Sequence, residues 1–395
     1  IMVYIIPLII AIFGIYFYDY KDNARYKNAF FWGLMFYCVL VSGLSYRMGI
    51  DIVNFYETEF YEKYPVISHV DENYLLNFPR RQPGWLLFAS ICKTIIPDFN
   101  FMKTVIAFFV NISMFLTIRR YTDNVFLGVL LYMLFIFPYF SFEILRESMA
   151  ISMFLFSLKY LENRKWIKYY LMIFMAVLFH KSSLFLVVMP LVREIRFSKR
   201  QIYVLALFAF LVMCFQSYFS FIPKMLASIP FFALKAEGYM DSDYFSKYRT
   251  FKISQFYTYV LNVFIPLIGI YYIERFKVNR GIGKFVLVSL FVSIFSAFFP
   301  ILFRLGNYVS IFLYIYMMYL LSYMSDIIKR NNNLLKVIIC SIYILYNFIP
   351  AYFVPQDRFA GFPLIVKIYP YTSCIDKETI LEREMFYYTF FNYNN

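Results

Sequence analysis

Apolar residues run in long blocks along this chain, and polar residues gather between them in short clusters. A helix needs about 20 apolar residues to cross a bilayer, with a range of about 17–25. The pattern predicts spans near 2–18, 29–46, 101–118, 124–142, 149–162, 201–222, 254–273, 284–300, 305–324 and 334–354. The stretch 166–192 is too long for one helix and is interrupted by His180-Lys181-Ser182-Ser183, so it reads as two short helices that go out and come back. The count comes to about twelve crossings. The run 84–97 is apolar but short, and reads as a half-helix or interfacial segment. Residues 1–18 lack the basic start and small-residue cleavage site of a cleavable signal peptide.

The short loops set a direction. Lys21, Arg25 and Lys27 lie in one, and Arg119 and Arg120 in the next on that side. Arg164, Lys165 and Lys168 follow, then Arg193, Arg196, Lys199 and Arg200, then Arg275, Lys277, Arg280 and Lys284, and last Lys329 and Arg330. All fall on one side if the N-terminus starts outside, and positive loops mark the cytoplasm. The expectation is an all-α polytopic membrane bundle, a single integral membrane domain over 1–395, with large outward loops at 47–83 and 223–253 and an outward tail at 355–395. No internal repeat supports an inverted-repeat transporter.

Composition agrees. The 395-residue chain is 62% hydrophobic, 24% aromatic and 16% charged. Soluble domains run about 45–50% apolar and about 25% charged. A soluble protein of this size could not bury so much Phe, Tyr, Ile and Leu, and disorder and small disulfide scaffolds are excluded. The net charge of +14 is spread between the apolar blocks rather than massed in one patch, so nucleic acid is not an expected partner. The five cysteines (Cys38, Cys92, Cys214, Cys340 and Cys374) form no CxxC pair. The chain has no P-loop, GxSxG elbow, HExxH or DxD pair, and no carboxylate cluster with ligand spacing, so neither a metal nor another cofactor is expected.

Charges next to spans are costly and call for a reason. Four constellations map to the predicted outer side. In Arg47-Met48-Gly49-Ile50-Asp51, Arg47 and Asp51 are four apart, and a helix-end salt bridge is the plain reading. In Glu143-Ile144-Leu145-Arg146-Glu147-Ser148, Ser148 reads as a helix N-cap, which leaves Arg146 unexplained. His180 sits at the tip of the short out-and-back pair, either as a satisfied polar tip or as a base kept neutral by Lys181. Arg304 and Tyr308 are four apart at the turn between two spans, where a snorkelling arginine is the plain alternative. Arg80 and Arg81 precede Pro83-Gly84-Trp85 and add positive charge. Arginine binds phosphate with a planar fork, so these arginines fit a lipid-linked phosphate or pyrophosphate. Tyr56, Tyr61, Tyr64, Tyr244 and Tyr257 are candidate sugar-stacking platforms.

The ordered set Arg47-x-Gly49-x-Asp51 with Tyr56, Pro83-Gly84, Leu145-Arg146-Glu147-Ser148-Met149-Ala150, Leu178-Phe179-His180-Lys181-Ser182 and Arg304-x-x-x-Tyr308 resembles the EpsG-like family of bacterial polysaccharide polymerases, the Wzy type that polymerises O-antigen repeat units. Two positions depart from the family pattern: Arg146-Glu147 stands where Arg-Gln is common, and Gln82-Pro83 where Glu-Pro is common. The resemblance implies an inner-membrane enzyme similar to multi-span lipid-linked glycosyltransferases (GT-C-like). It would act at the periplasmic face on undecaprenyl-pyrophosphate-linked oligosaccharide donor and acceptor, in contact with membrane lipid, alongside a repeat-unit flippase and a chain-length regulator. The expected site has Asp51 or His180 as base and Arg47, Arg146 and Arg304 on the pyrophosphate. Tyr56, Arg80, Arg81, Glu143, Glu147 and Tyr308 are the further substrate-binding candidates. The rival readings are a lipid-linked oligosaccharide flippase, a membrane acyltransferase of envelope polysaccharide and a structural membrane protein without catalysis.

Overall fold

Every regular element among the described residues is helical; strand-like pairing is limited to one isolated antiparallel bridge, Ser45 with Ser373. The computed structural model describes residues 2–77, 81–195, 198–215, 267, 280–296, 302–327, 341–342, 345–346, 348–349, 352–355 and 362–394. The chain packs as two units, Ile1–Val187 with Ser341–Tyr393, and Val188–Cys340.

The first unit opens with α1 (Met2–Gly14), which continues through a π-helical turn, Ile15–Tyr20. Next come α2 (Lys27–Gly43), a second π turn (Ile52–Tyr56), α3 (Glu57–Glu62), α4 (Glu72–Asn77) and α5 (Pro83–Ile95). They are followed by α6 (Phe99–Tyr121), α7 (Val125–Leu131), a third π turn (Tyr132–Ile136) and α8 (Phe137–Phe142). Last are α9 (Leu145–Glu162), α10 (Trp166–Phe179) and a 3-10 run, Lys181–Val188. In the second unit lie α11 (Met189–Glu194), α12 (Lys199–Cys214), α13 (Arg280–Ser296), α14 (Phe303–Asn307) and α15 (Ser310–Ile327). The C-terminal segment of the first unit holds a 3-10 turn, Leu364–Lys367, and α16 (Leu381–Asn394).

Helix α6 is the axis of the first unit. Its 23 residues span about 35 Å. The Asp98 side chain caps its start by accepting from Asn100 N at 2.7 Å, and Arg119 and Arg120 sit in the last turn, where cations favour the helix end. Helix α2 packs on one side and α9 on the other, with α10 behind α9 and α1 against α2 and α7. Close approach of α9 comes from small residues, and Ser113 Oγ donates to Ser152 Oγ across the α6–α9 seam at 3.2 Å. Deeper in, Tyr132 donates to Asn111 Oδ1 at 2.9 Å, which satisfies both polar groups inside an apolar core. The π turn at Tyr132–Ile136 precedes Pro138, whose ring cannot sit in an unbroken α-helix.

Among the described residues, three helices are long and apolar enough to cross a membrane: Met2–Tyr20, Phe99–Tyr121 and Val125–Phe142. They coincide with three of the predicted spans. Helices α2, α9, α13 and α15 overlap four more, 29–46, 149–162, 284–300 and 305–324. The predicted spans 254–273 and 334–354, the end of 201–222 and the loop 223–253 lie largely or wholly outside the described residues. Helix α5 has 13 residues, about 20 Å, against a hydrocarbon core of about 30 Å. Its first turn meets Leu178 at the end of α10, and its last turn approaches residues 60–67 beside the start of α6. The out-and-back pair is also present, but its return arm is 3-10 rather than α, tied to α10 by Tyr169 Oη donating to Leu186 O at 2.7 Å.

The stretch 47–83 differs from the hydrophilic loop expected of it. Tyr56, Phe60 and Tyr64 recur every four residues and are 4%, 0% and 2% exposed, so this stretch folds as short helices laid on the bundle. Two glycines allow the close approaches at this end. Gly49 has φ +101°, and a Cβ there would lie 1.6 Å from the Phe142 carbonyl oxygen. A Cβ on Gly84 would lie 2.8 Å from the Leu178 carbonyl oxygen. Gly49→Ala is therefore expected to cost about 3 kcal/mol or more from overpacking and left-handed strain together. Gly84→Ala should cost about 1–3 kcal/mol. Gly33→Ala, whose Cβ meets nothing within 4 Å, should leave stability unchanged or slightly raised. Thermal unfolding of the detergent-purified variants checks this order.

Candidate functional site

At one end of the first unit the loop after α2 and the C-terminal segment are stitched together. Tyr46 N donates to Thr372 O at 2.8 Å, Cys374 N donates to Leu44 O at 2.8 Å, and Thr372 Oγ1 donates to Tyr46 O at 2.6 Å. Lys103, buried in the first turns of α6, caps the end of α2 by donating to Ser45 O. Arg47 stands at the centre with φ +46°. Its guanidinium forms a two-pronged pair with Glu384 of α16, Nε to Oε1 at 2.8 Å and Nη2 to Oε2 at 2.7 Å. That bond raises the Arg47 pKa above its ordinary value against the opposing effect of burial. The Arg47 carbonyl in turn accepts from Tyr387 Oη at 3.2 Å and from Arg383 at 3.5 Å.

Arg383 is 1% exposed. Its fork donates to Val366 O at 3.2 Å, to Thr372 Oγ1 at 2.8 Å and to Pro370 O. Burial pulls its pKa below the ordinary arginine value. Next to it, Tyr387 Oη accepts from Gly49 N at 2.8 Å, and Glu143 Oε2 accepts from Ile50 N at 3.1 Å and Asp51 N at 3.4 Å. Lys367 Nζ lies 2.9 Å from Glu143 Oε1. The apolar side of the same joint is Ile50, Val366, Phe386 and Tyr387, with Val53 and Phe362 against them.

Across this joint, the first turn of α9 presents two charges in two directions. Arg146 is half-buried; its Nε donates to Tyr56 Oη at 3.4 Å and its Nη1 to Gln82 Oε1 at 3.2 Å. The guanidinium carbon lies 5.9 Å from the Tyr56 ring centre. Burial pushes the Tyr56 hydroxyl up from its ordinary pKa; the Arg146 charge opposes that and the Asp51 charge adds to it, so both charges reach this hydroxyl. Glu147, buried, faces His180, with Oε2 4.0 Å from Nε2, while His180 Nδ1 meets Ser182 Oγ. Behind Tyr56, Arg81 forms a two-pronged pair with Glu59 at 2.6 and 2.7 Å. Tyr64 donates to Glu59 at 2.7 Å and accepts from Trp85 Nε1 at 3.0 Å.

The predicted residues thus separate. Asp51, Tyr56, Glu143, Arg146, Glu147 and His180 share this end of the first unit. Arg304 and Tyr308 belong to the second unit, half-buried in α14 and 0% exposed just after it, respectively. Arg80 lies outside the described residues. Arg47 does not form the expected helix-end pair with Asp51, because its left-handed backbone breaks the helix between them and its fork turns to Glu384. Ser148 is no N-cap: α9 already begins at Leu145, and Ser148 Oγ donates to Phe140 O at 2.8 Å. Arg81 is held by Glu59, and Tyr56 and Tyr64 are buried, so neither of these two tyrosines offers a free surface for stacking. Lys367, Arg383, Glu384 and Tyr387 were missed by sequence reasoning; the only local signal was the clustering of polar charges in an otherwise aromatic tail. Among the described residues no group of three or more His, Cys, Asp or Glu side chains could hold a metal ion. The arrangement brings the Arg146 fork and the half-buried Asp51 carboxylate to bear on the same Tyr56 hydroxyl, with an imidazole–carboxylate pair, His180 and Glu147, at the same end.

Comparison with known proteins agrees with the motif order. No curated protein and no solved structure matches the chain. The family model of the EpsG family matches residues 28–373, which takes in the four constellations read from the sequence and ends before α16. EpsG family members are Wzy-like polymerases, which supports a polysaccharide polymerase-like role and a place in the membrane. The chain belongs to the EpsG family.

Proposed function

We propose that this chain joins lipid-linked polysaccharide repeat units at the outer face of the bacterial cytoplasmic membrane. The donor is a glycan on undecaprenyl pyrophosphate, and the acceptor is the sugar of an incoming lipid-linked unit. In this reading the bundle crosses about twelve times, the site end faces the periplasm, and O-antigen is the product class. A repeat-unit flippase supplies the substrate and a chain-length regulator sets the product. The observation that carries the reading is the Arg146 fork, held by Tyr56 and Gln82, with the Asp51 charge acting on the same Tyr56 hydroxyl, in a chain of this family.

The step is a displacement at the anomeric carbon of the donor sugar. Asp51 takes the proton of the acceptor hydroxyl as its oxygen bonds to that carbon. The bond from the carbon to the pyrophosphate oxygen breaks, and the electron pair leaves with the pyrophosphate. Arg146 stabilises the charge that develops there. His180, oriented by Glu147, is the second candidate base. Arg304 enters through its motif as a further pyrophosphate ligand. Arg47 is assigned to anchoring the tail, since its fork is engaged by Glu384.

The reading is tested in a deletion strain, with surface glycan displayed on a gel. Loss of the ladder with retention of a single ligated unit is expected; loss of the single unit as well would indicate a flippase, and an intact ladder would refute both. Restoring the gene as Arg146→Ala should lower polymer output about 100-fold or more, and Arg146→Lys should not rescue it, because an ammonium lacks the fork. Normal ladders from Arg146→Ala would remove that residue from the site. Arg47→Ala should impair output, and the exchange Arg47→Glu with Glu384→Arg should restore part of it. An exchange no better than Arg47→Ala would return Arg47 to the substrate.

A further inference from the structure

The C-terminal segment carries a charged residue that the proposed chemistry does not use. Lys367 is 6% exposed, with Nζ 2.9 Å from Glu143 Oε1 and 5.8 Å from the centre of the Phe386 ring. The other oxygen of the same carboxylate accepts from Ile50 N at 3.1 Å and Asp51 N at 3.4 Å. One carboxylate therefore bridges an ammonium from the tail and two amides of the turn that carries Asp51. The preceding amide, Gly49 N, is held by Tyr387 Oη at 2.8 Å. Three successive backbone N–H groups are thus fixed by groups far away in sequence.

We propose that Glu143 and Lys367 are positioning residues for Asp51. The proposal rests on the polymerase reading and adds to it the groups that aim its base. The amides of Ile50 and Asp51 open a helical turn and have no carbonyl partner in a preceding one. A carboxylate set against them fixes where the Asp51 side chain starts and which way it leaves the backbone. Glu143 is 8% exposed, and among the described residues its Oε1 makes no hydrogen bond, so this buried carboxylate stays in place only with a counter-charge. Lys367 supplies that charge. Without it the carboxylate is driven toward water, the two amides are released, and the base loses its aim while the substrate contacts remain. The loss falls on the chemical step rather than on binding.

The test uses the full-length protein in liposomes with lipid-pyrophosphate-linked repeat units extracted from cells lacking this gene. Lys367→Met should lower kcat about 10- to 100-fold with KM within about threefold of wild type. Lys367→Arg, which keeps the charge, should retain most of the rate. The pair Glu143→Gln with Lys367→Met should be faster than Lys367→Met alone, because the glutamine oxygen accepts the amides without needing a counter-charge. A wild-type kcat in Lys367→Met, a raised KM at unchanged kcat, or a pair no faster than the single variant would each overturn the assignment. Should Lys367→Met fail to accumulate, the pair carries the test by the same kcat and KM criteria. Wild-type protein that joins no units would remove the polymerase reading and this proposal together; active wild type with an equally active Lys367→Met removes only the positioning role.

Discussion

A guanidinium taken out of water must find acceptors for its five N–H groups. Arg383, 1% exposed, finds them in the tail at Val366, Pro370 and Thr372, and in the loop after α2 at Arg47. That requirement fixes the tail against residues 44–51, and the rest of this end follows from it. Glu384, the next residue, is brought to the Arg47 fork; Tyr387, one turn on, reaches the Gly49 amide; and Lys367 meets Glu143. The apolar cluster of Ile50, Val366, Phe386 and Tyr387 closes the joint. A polar network of this kind is costly to leave partly satisfied, so it holds one arrangement rather than several.

This arrangement knits most of the charges at the site end into one frame. Arg47, Arg81, Glu59, Glu143, Lys367, Arg383 and Glu384 are engaged with one another or with backbone groups, and they build the frame. Arg146, Asp51 and the His180–Glu147 pair stand inside that frame with side chains that reach Tyr56, Gln82 and Ser182. In the proposed reaction, a frame of paired charges would hold Arg146 and Asp51 in one geometry for binding the leaving group and taking the proton. The two departures from the family pattern, Gln82 and Glu147, fall on the partners of Arg146 and His180. The neutral amide of Gln82 accepts from Arg146 at 3.2 Å.

The spans at 101–118 and 124–142 could be read directly, because unbroken apolar blocks have little alternative to a buried helix. The short length of the helix at 84–97 was legible in the sequence, and α5 runs only 13 residues. The four-residue spacing of Tyr56, Phe60 and Tyr64 was also in the sequence, but the polar residues among them made the stretch look like solvated loop. The Arg47–Asp51 spacing misled, since a helical rule was applied across a residue with φ +46°. The tail contacts had no local signature. Lys367 and Glu384 meet partners more than 200 residues away, and pairing at such a distance is set by the fold, not by the neighbouring residues.

The most direct measurement follows the reaction in liposomes containing only the purified protein and lipid-pyrophosphate-linked repeat units. The glycan should lengthen with no nucleotide present, and one lipid pyrophosphate should be freed for each unit joined. Lengthening that depends on a nucleotide sugar, or that frees no lipid pyrophosphate, would contradict the assignment of this chain as the enzyme that joins the units.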